Sequence, residues 1–231
     1  MGISDRRPLP GTPTTALISK TANNRLGAVF SALHSFWVAR HAAVTAGAGG
    51  GDQAAANLNL RRDAYSVVMF DHEVTTALAN DFESTPEELL NAVLAYKDRG
   101  GTNFTGAMKR GQAVMEAHWS TERTPVIVFL SDGECSIADT VTQDACRAAI
   151  KLGKPVSLQT VSFGRDTSSS SLRRMAEIAA DAQASAPRDL LVPAGASVKS
   201  AFSQALDSVQ LAETFLGIAE SLRKQRGSLI N

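Results

Sequence analysis

VIVFLSDGECS, residues 126–136, runs five apolar side chains straight into Ser131-Asp132-Gly133-Glu134. A β-branched and aromatic run without alternation suits a strand covered on both faces, which means a parallel sheet with helices on either side. In such sheets ligands gather beyond the carboxyl ends of the strands, and Asp132 stands at that end. Asp-Gly is also a common turn pair, so Asp132 reads equally as a turn or cap residue from this stretch alone.

Working outward, the neighbouring segments supply the rest of an alternating α/β chain. Asn23-Asn24 caps NNRLGAVFSALHSFWVARHAA, with Leu26, Val29, Phe30, Leu33, Phe36 and Trp37 at the spacing of an amphipathic helix. TAGAGGGDQAAANLN is a low-complexity loop, and YSVVMFD with EVTTAL reads as an antiparallel pair turning at Asp71-His72. Helices are expected from Pro86 through EELLNAVLAY and from Phe104 to His118. DTVTQDACRAAIKLG reads as a helix closed by Gly153, PVSLQTVSFG as a strand, and SSSSLRRMAEIAADAQ as a serine-capped helix. DLLVPA is a last short strand and Val198 to about Lys224 a final helix. The expected architecture is α/β, a doubly wound and mostly parallel sheet with helices on both faces. Residues 1–22, rich in Pro, Thr and Ser, read as a flexible or weakly ordered segment in which TTALIS forms a short strand. The domain proper is expected over residues 23–224, with 225–231 a tail.

Composition narrows the function classes. The 231 residues carry no net charge, are 44% hydrophobic and 20% charged, and give no overall basic field for nucleic acid. MGISDRRPLPGTP lacks the apolar centre of a signal peptide, and no apolar run approaches the roughly 18 residues of a membrane span. Intracellular residence is the expectation. Cys135 and Cys146, the two cysteines, have neither the number nor the spacing of a disulfide framework or zinc site.

Two loops, DRGGTNFTGAM at residues 98–108 and FLSDGECS at residues 129–136, come in this order on this run of strands and helices. Together they resemble the von Willebrand factor A family, over roughly Asn23 to Lys224. That resemblance implies a doubly wound sheet with a metal site at its carboxyl edge, fed by three loops: an Asp-x-Ser-x-Ser after the first strand, a threonine in a glycine-rich loop, and an aspartate after the fourth strand. Thr102 matches the threonine and Asp132 the aspartate, with Gly101, Gly133 and Glu134 around them. Mg²⁺, for which Mn²⁺ could substitute, favours oxygen ligands of this kind. A glycine pair before Thr102 lets the backbone come close to such an ion. An acidic side chain of a partner protein would then complete the metal shell.

The first-loop motif is missing, since no Asp-x-Ser-x-Ser precedes the first helix. Two explanations stand side by side. Either the chain is a truncated or misbegun form of a longer protein that has lost its first strand, or ALISKT replaces that strand. In the second case Leu17 stands for the aspartate, and Ser19 and Thr21 supply the hydroxyls. In both, the metal site is partial and weak. The expected function is a non-enzymatic protein-binding module of this type, with no nucleic acid or membrane partner. The alternatives are a degenerate scaffold or fragment of a multidomain protein without metal, and more remotely a hydrolase using Asp132 and Cys135. Asn103-Phe104-Thr105 is a glycosylation sequon lying inside the proposed metal loop, and is read as incidental.

Overall fold

The apolar run at Val126 does become a strand, and its parallel partners follow it in order. The computed structural model describes residues 1–3, 5–45, 63–164, 169–187 and 198–227. The element order is α1 (Thr15–Thr21), α2 (Arg25–Thr45), β1 (Tyr65–Phe70), β2 (Val74–Asp81), α3 (Pro86–Leu94), α4 (Phe104–Ala117), β3 (Val126–Ser131), α5 (Asp139–Lys151), β4 (Ser157–Phe163), α6 (Ser170–Ser185), β5 (Ala201–Ala205) and α7 (Ser208–Gly227). β3, β4 and β5 form a parallel sheet, with Val126 opposite Ser157 and Gln159 opposite Ala201, while β1 and β2 form a separate antiparallel hairpin.

Side chains alternate between two helical layers as strand geometry demands. Val128 and Leu130 pack with α1, α2, α3 and α7, whereas Ile127 and Phe129 pack with α4, α5 and α6. This is the expected α/β arrangement with helices on both faces. Thr85 and Glu88 close a reciprocal capping box at the start of α3, and the Asn24 side chain accepts from Gly27 N at 3.2 Å to cap α2.

Several local expectations are corrected. TTALIS is not a strand: Thr15–Thr21 is helical, with Ile18 and Ala22 buried while Leu17 is exposed. Burial one turn apart on the flank of α2 overrides the β-branched composition. The stretch after Val198 is not one helix, because Ala201–Ala205 pairs with β4 before α7 begins; Asp207 then accepts from Val209 N and Gln210 N at 2.9 Å and caps the new helix. Ala and Gln in AFSQA suggest helix locally, but a parallel sheet edge takes them. α2 is not amphipathic in its first three turns, where nearly every side chain is buried, His34 included. Val126–Leu130 was expected at or next to the sheet's centre and lies next to it: β4 holds the middle of the parallel sheet and is buried throughout, while β3 pairs beside it and is half-buried. The DLLVPA strand and the glycine-rich loop lie outside the described residues.

The two pieces of sheet face each other. Phe70, ending β1, and Phe129, near the end of β3, have ring centroids 5.2 Å apart, and both rest on Phe104. The carboxyl ends of β1 and β3 are therefore side by side. Among the described residues no strand lies between them.

Candidate functional site

At the carboxyl end of β3 the chain turns on Ser131, whose hydroxyl accepts from Gly133 N at 3.1 Å and donates to Gly133 O at 3.0 Å. This closed turn fixes Asp132 on the sheet edge. Thr102 reaches the same place from the loop before α4: a Cβ built on Gly133 would lie 3.7 Å from the Thr102 hydroxyl. Gly101 supports that approach, with φ +83° and a Cβ position only 3.1 Å from His72 Cβ, so both conformation and space require glycine. Asn103 turns the loop into α4, its side chain accepting from Gly106 N at 2.8 Å. The structure thus brings together Thr102, Asp132, Gly101 and Gly133.

It does not bring the other candidates there. Glu134 points to the start of α6, accepting from Ser171 N at 2.9 Å and Ser170 Oγ at 3.3 Å. It caps that helix in place of the serine run, since the Ser169 hydroxyl is taken by Ser162 at 2.6 Å. Ser19 and Thr21 ride on α1, and among the described residues neither makes a side-chain hydrogen bond toward Asp132.

What meets Asp132 instead is a cation that sequence reading missed. Arg25 Nη1 lies 3.3 Å from Asp132 Oδ2, and the same guanidinium grips Asp5 bidentately, Nε to Oδ1 at 2.7 Å and Nη2 to Oδ2 at 2.8 Å. The Met1 nitrogen approaches Asp132 Oδ2 at 2.8 Å. Arg25 is only 8% exposed and passes under Gly164, where an added Cβ would sit 3.2 Å from Nη1. Hydrogen bonding from Arg25 lowers the Asp5 carboxyl to about 2, and Asp5 in turn raises the guanidinium further. One signal was present in the sequence: a cation in the first turn of a helix opposes the macrodipole, so Arg25 needs partners outside α2. Its carboxylates lie 20 and 107 positions away, and no local pattern names them.

These residues do not fit a divalent ion as they stand. Asp132 Oδ2 already accepts from Arg25, and Asp5, the other nearby carboxylate, is spent on the same guanidinium. Among the described residues no group of three or more His, Cys, Asp or Glu could hold a metal. Cys135 Sγ donates to the adjacent Ser136 O, and burial pushes the Cys146 thiol up to about 11.

Comparison with known proteins agrees with this frame. The model of the von Willebrand factor type A domain matches residues 33–134. The matched stretch is similar to that family over somewhat less than half of the chain. A search of curated protein sequences finds no match. Among solved structures, proximal thread matrix protein 1 of the mussel byssus is similar at TM-score 0.54 and 13% identity, over 84% of this chain and 42% of that one. A second structure of that protein, described as having a zinc occupied MIDAS motif, is similar at TM-score 0.52 and 11% identity, over 84% and 42%. The pilus adhesin SpaC of Lactobacillus rhamnosus GG is similar at TM-score 0.56 and 13% identity, over 90% of this chain and 29% of that one. These likenesses establish the type A fold, and the chain spans less than half the length of either protein. No helix among the described residues is long and apolar enough to cross a membrane.

Proposed function

We propose that this type A domain is a non-enzymatic protein-binding module whose recognition face is the carboxyl edge of the sheet, around Gly101, Thr102 and Gly133. The observation that carries the reading is the Asp5–Arg25–Asp132 cluster: the carboxylate at the strand end is neutralised by a guanidinium, so the edge is an ordered polar surface with no catalytic pair. Contact with a partner is then direct, through the Thr102 hydroxyl and the backbone of the glycine loops, and no divalent ion bridges it. Support comes also from the neighbours, which include a matrix protein and an adhesin.

Selection of binders from a displayed peptide library against the whole chain tests this. Binders should lose affinity on Thr102→Arg, keep it on a substitution remote from the edge such as Lys109→Ala, and be indifferent to EDTA. Binders that tolerate Thr102→Arg would move the recognition face elsewhere, and binders lost in EDTA would restore the metal-bridged reading.

A further inference from the structure

Asp5 fills a pocket made by two guanidinium groups, and it does so from an exposed position. Its oxygens accept from Nε and Nη2 of Arg25 at 2.7 and 2.8 Å, and Arg6 Nη1 donates to Oδ2 at 2.8 Å. Both guanidinium groups are also held by other bonds. Arg25 is buried against Gly164 and reaches Asp132 at 3.3 Å, while Arg6 Nε donates to Leu206 O at 2.6 Å. The strap carrying Asp5 is anchored on both sides of it. Ile3 O accepts from Arg25 N at 3.1 Å, Arg7 O accepts from Ser208 Oγ at 2.7 Å, Leu9 N donates to Ser31 Oγ at 3.2 Å, and Pro8 is buried against Gly27 of α2. The Asp5 side chain can therefore turn out to solvent without the strap leaving. We propose that the pocket between Arg6 and Arg25 binds an acidic side chain of a partner polypeptide, and that Asp5 is its internal occupant, displaced when the partner docks.

This inference rests on the recognition face proposed above and names the chemistry that face takes. Asp132 joins Arg25 to it, because Thr102 arrives at Gly133, the next residue. A guanidinium presents its donors as a rigid fork that matches the two oxygens of a carboxylate. A side-chain amide offers one oxygen and turns its NH₂ group toward the second donor, so asparagine and glutamine are rejected. When Asp5 turns out, Arg25 is left buried with Nε and Nη2 unanswered, which disfavours the empty pocket and favours exchange for an arriving carboxylate. Asp5 acts as a tethered competitor. If it fills the pocket about nine-tenths of the time, the partner's apparent affinity is about tenfold below its intrinsic value.

The test titrates the whole chain and its Asp5→Ala variant with the peptide acetyl-Ala-Asp-Ala-amide, whose side chain is its one charge, and follows binding by NMR. Asp5→Ala should bind about tenfold or more tightly than the unmodified chain, and the side-chain Nε resonance of Arg25 should shift as the peptide is added. Acetyl-Ala-Asn-Ala-amide should not bind. Acetyl-Ala-Asn-Ala with a free carboxyl end, which separates a chain terminus from an acidic side chain, should bind much more weakly. Arg25→Lys in the Asp5→Ala background keeps the charge without the fork and should lose about tenfold or more in affinity. The proposal is overturned if Asp5→Ala gains no affinity, if the Arg25 resonance stays still, if Arg25→Lys binds equally, or if either asparagine peptide binds as tightly. Its failure is distinct from that of the recognition face: library binders that tolerate Thr102→Arg remove the face, whereas equal peptide affinity of the Asp5→Ala and unmodified chains removes the exchange at Arg25 and leaves the face standing.

Discussion

Replacing Arg25 by methionine keeps much of the side chain's apolar length and removes the charge shared by Asp5 and Asp132. Lowering Asp5 from 3.8 to about 2 corresponds to roughly 2.4 kcal/mol before screening. The Asp5 side chain is 36% exposed, so solvent reduces this to about 1 kcal/mol. Asp132, 15% exposed, loses its Arg25 donor, worth about another 1 kcal/mol. The variant is expected to lose about 2 kcal/mol at neutral pH, or about 4–8 °C in melting temperature for a chain of this size. The pH dependence has a definite sign. Asp5 titrates lower in the folded than in the unfolded chain, so its contribution is full above about pH 4 and lost as pH falls toward 2. Urea unfolding of both proteins from pH 7 to pH 2.5 should show their difference shrinking below pH 4. A loss under about 0.5 kcal/mol at neutral pH, or a difference that stays constant into acid, would refute the role given to Arg25.

Mg²⁺ or Mn²⁺ at millimolar concentration should move the melting temperature of the unmodified chain by less than about 1 °C; a saturable rise abolished by Asp132→Ala would show that a divalent ion displaces Arg25. Ile18→Ala, at a fully buried side chain of α1, should cost about 2–4 kcal/mol in chemical denaturation, and a cost near zero would detach α1 from the core. Glu134→Ala should cost about 0.5–1 kcal/mol by uncapping α6, with faster amide exchange at Ser171 as its local signature; an unchanged Ser171 would count against the cap. Val161→Thr in β4 should cost about 1–2 kcal/mol by burying a hydroxyl, whereas Val128→Thr in β3 should cost less than half as much because Val128 is half-buried, and equal costs would contradict the difference in burial.

The parts of the fold legible from sequence were those whose signals are local. The Asn24 cap and the hairpin at Asp71 each place donors and acceptors within a few residues of one another. Asp132 was singled out by the strand end before it and Thr102 by the family resemblance, and the structure places the two at the same edge. What failed depended on distant neighbours. TTALIS became helical because α2 offered Ile18 a buried face, and AFSQA became a strand because β4 offered a ladder. Glu134 caps a helix that starts 36 residues later, and Arg25 joins carboxylates from both sides of the chain. Such pairings follow from topology, which residue pattern alone does not encode.

The contrast between β3 and β4 links the sheet's interruption to the sequence. β4, Ser157–Phe163, is buried at every position although four of its seven residues are polar. Those polar groups are matched: Gln159 Nε2 donates to Lys199 O at 2.7 Å, Thr160 Oγ1 to Leu172 O at 2.8 Å, and Ser162 meets Ser169. β3 has the more apolar sequence and yet is half-buried over most of its length. Hydrophobic burial favours the reverse ranking, with the most apolar strand innermost. The inversion disappears once a strand lies beside β3, because Val126, Val128 and Leu130 then gain a neighbour in their own layer and Ile127 gains one in the other. β1 gives the same indication from the opposite side, since Val67, Val68 and Met69 are apolar but only half-buried. Among the described residues, two strands with the composition of sheet centres therefore stand as edges. An edge this apolar and uncharged is one that a protein ordinarily blunts with charge, proline or a bulge. β3 has none of these devices, which is the property expected of a strand shaped for a neighbour on that side.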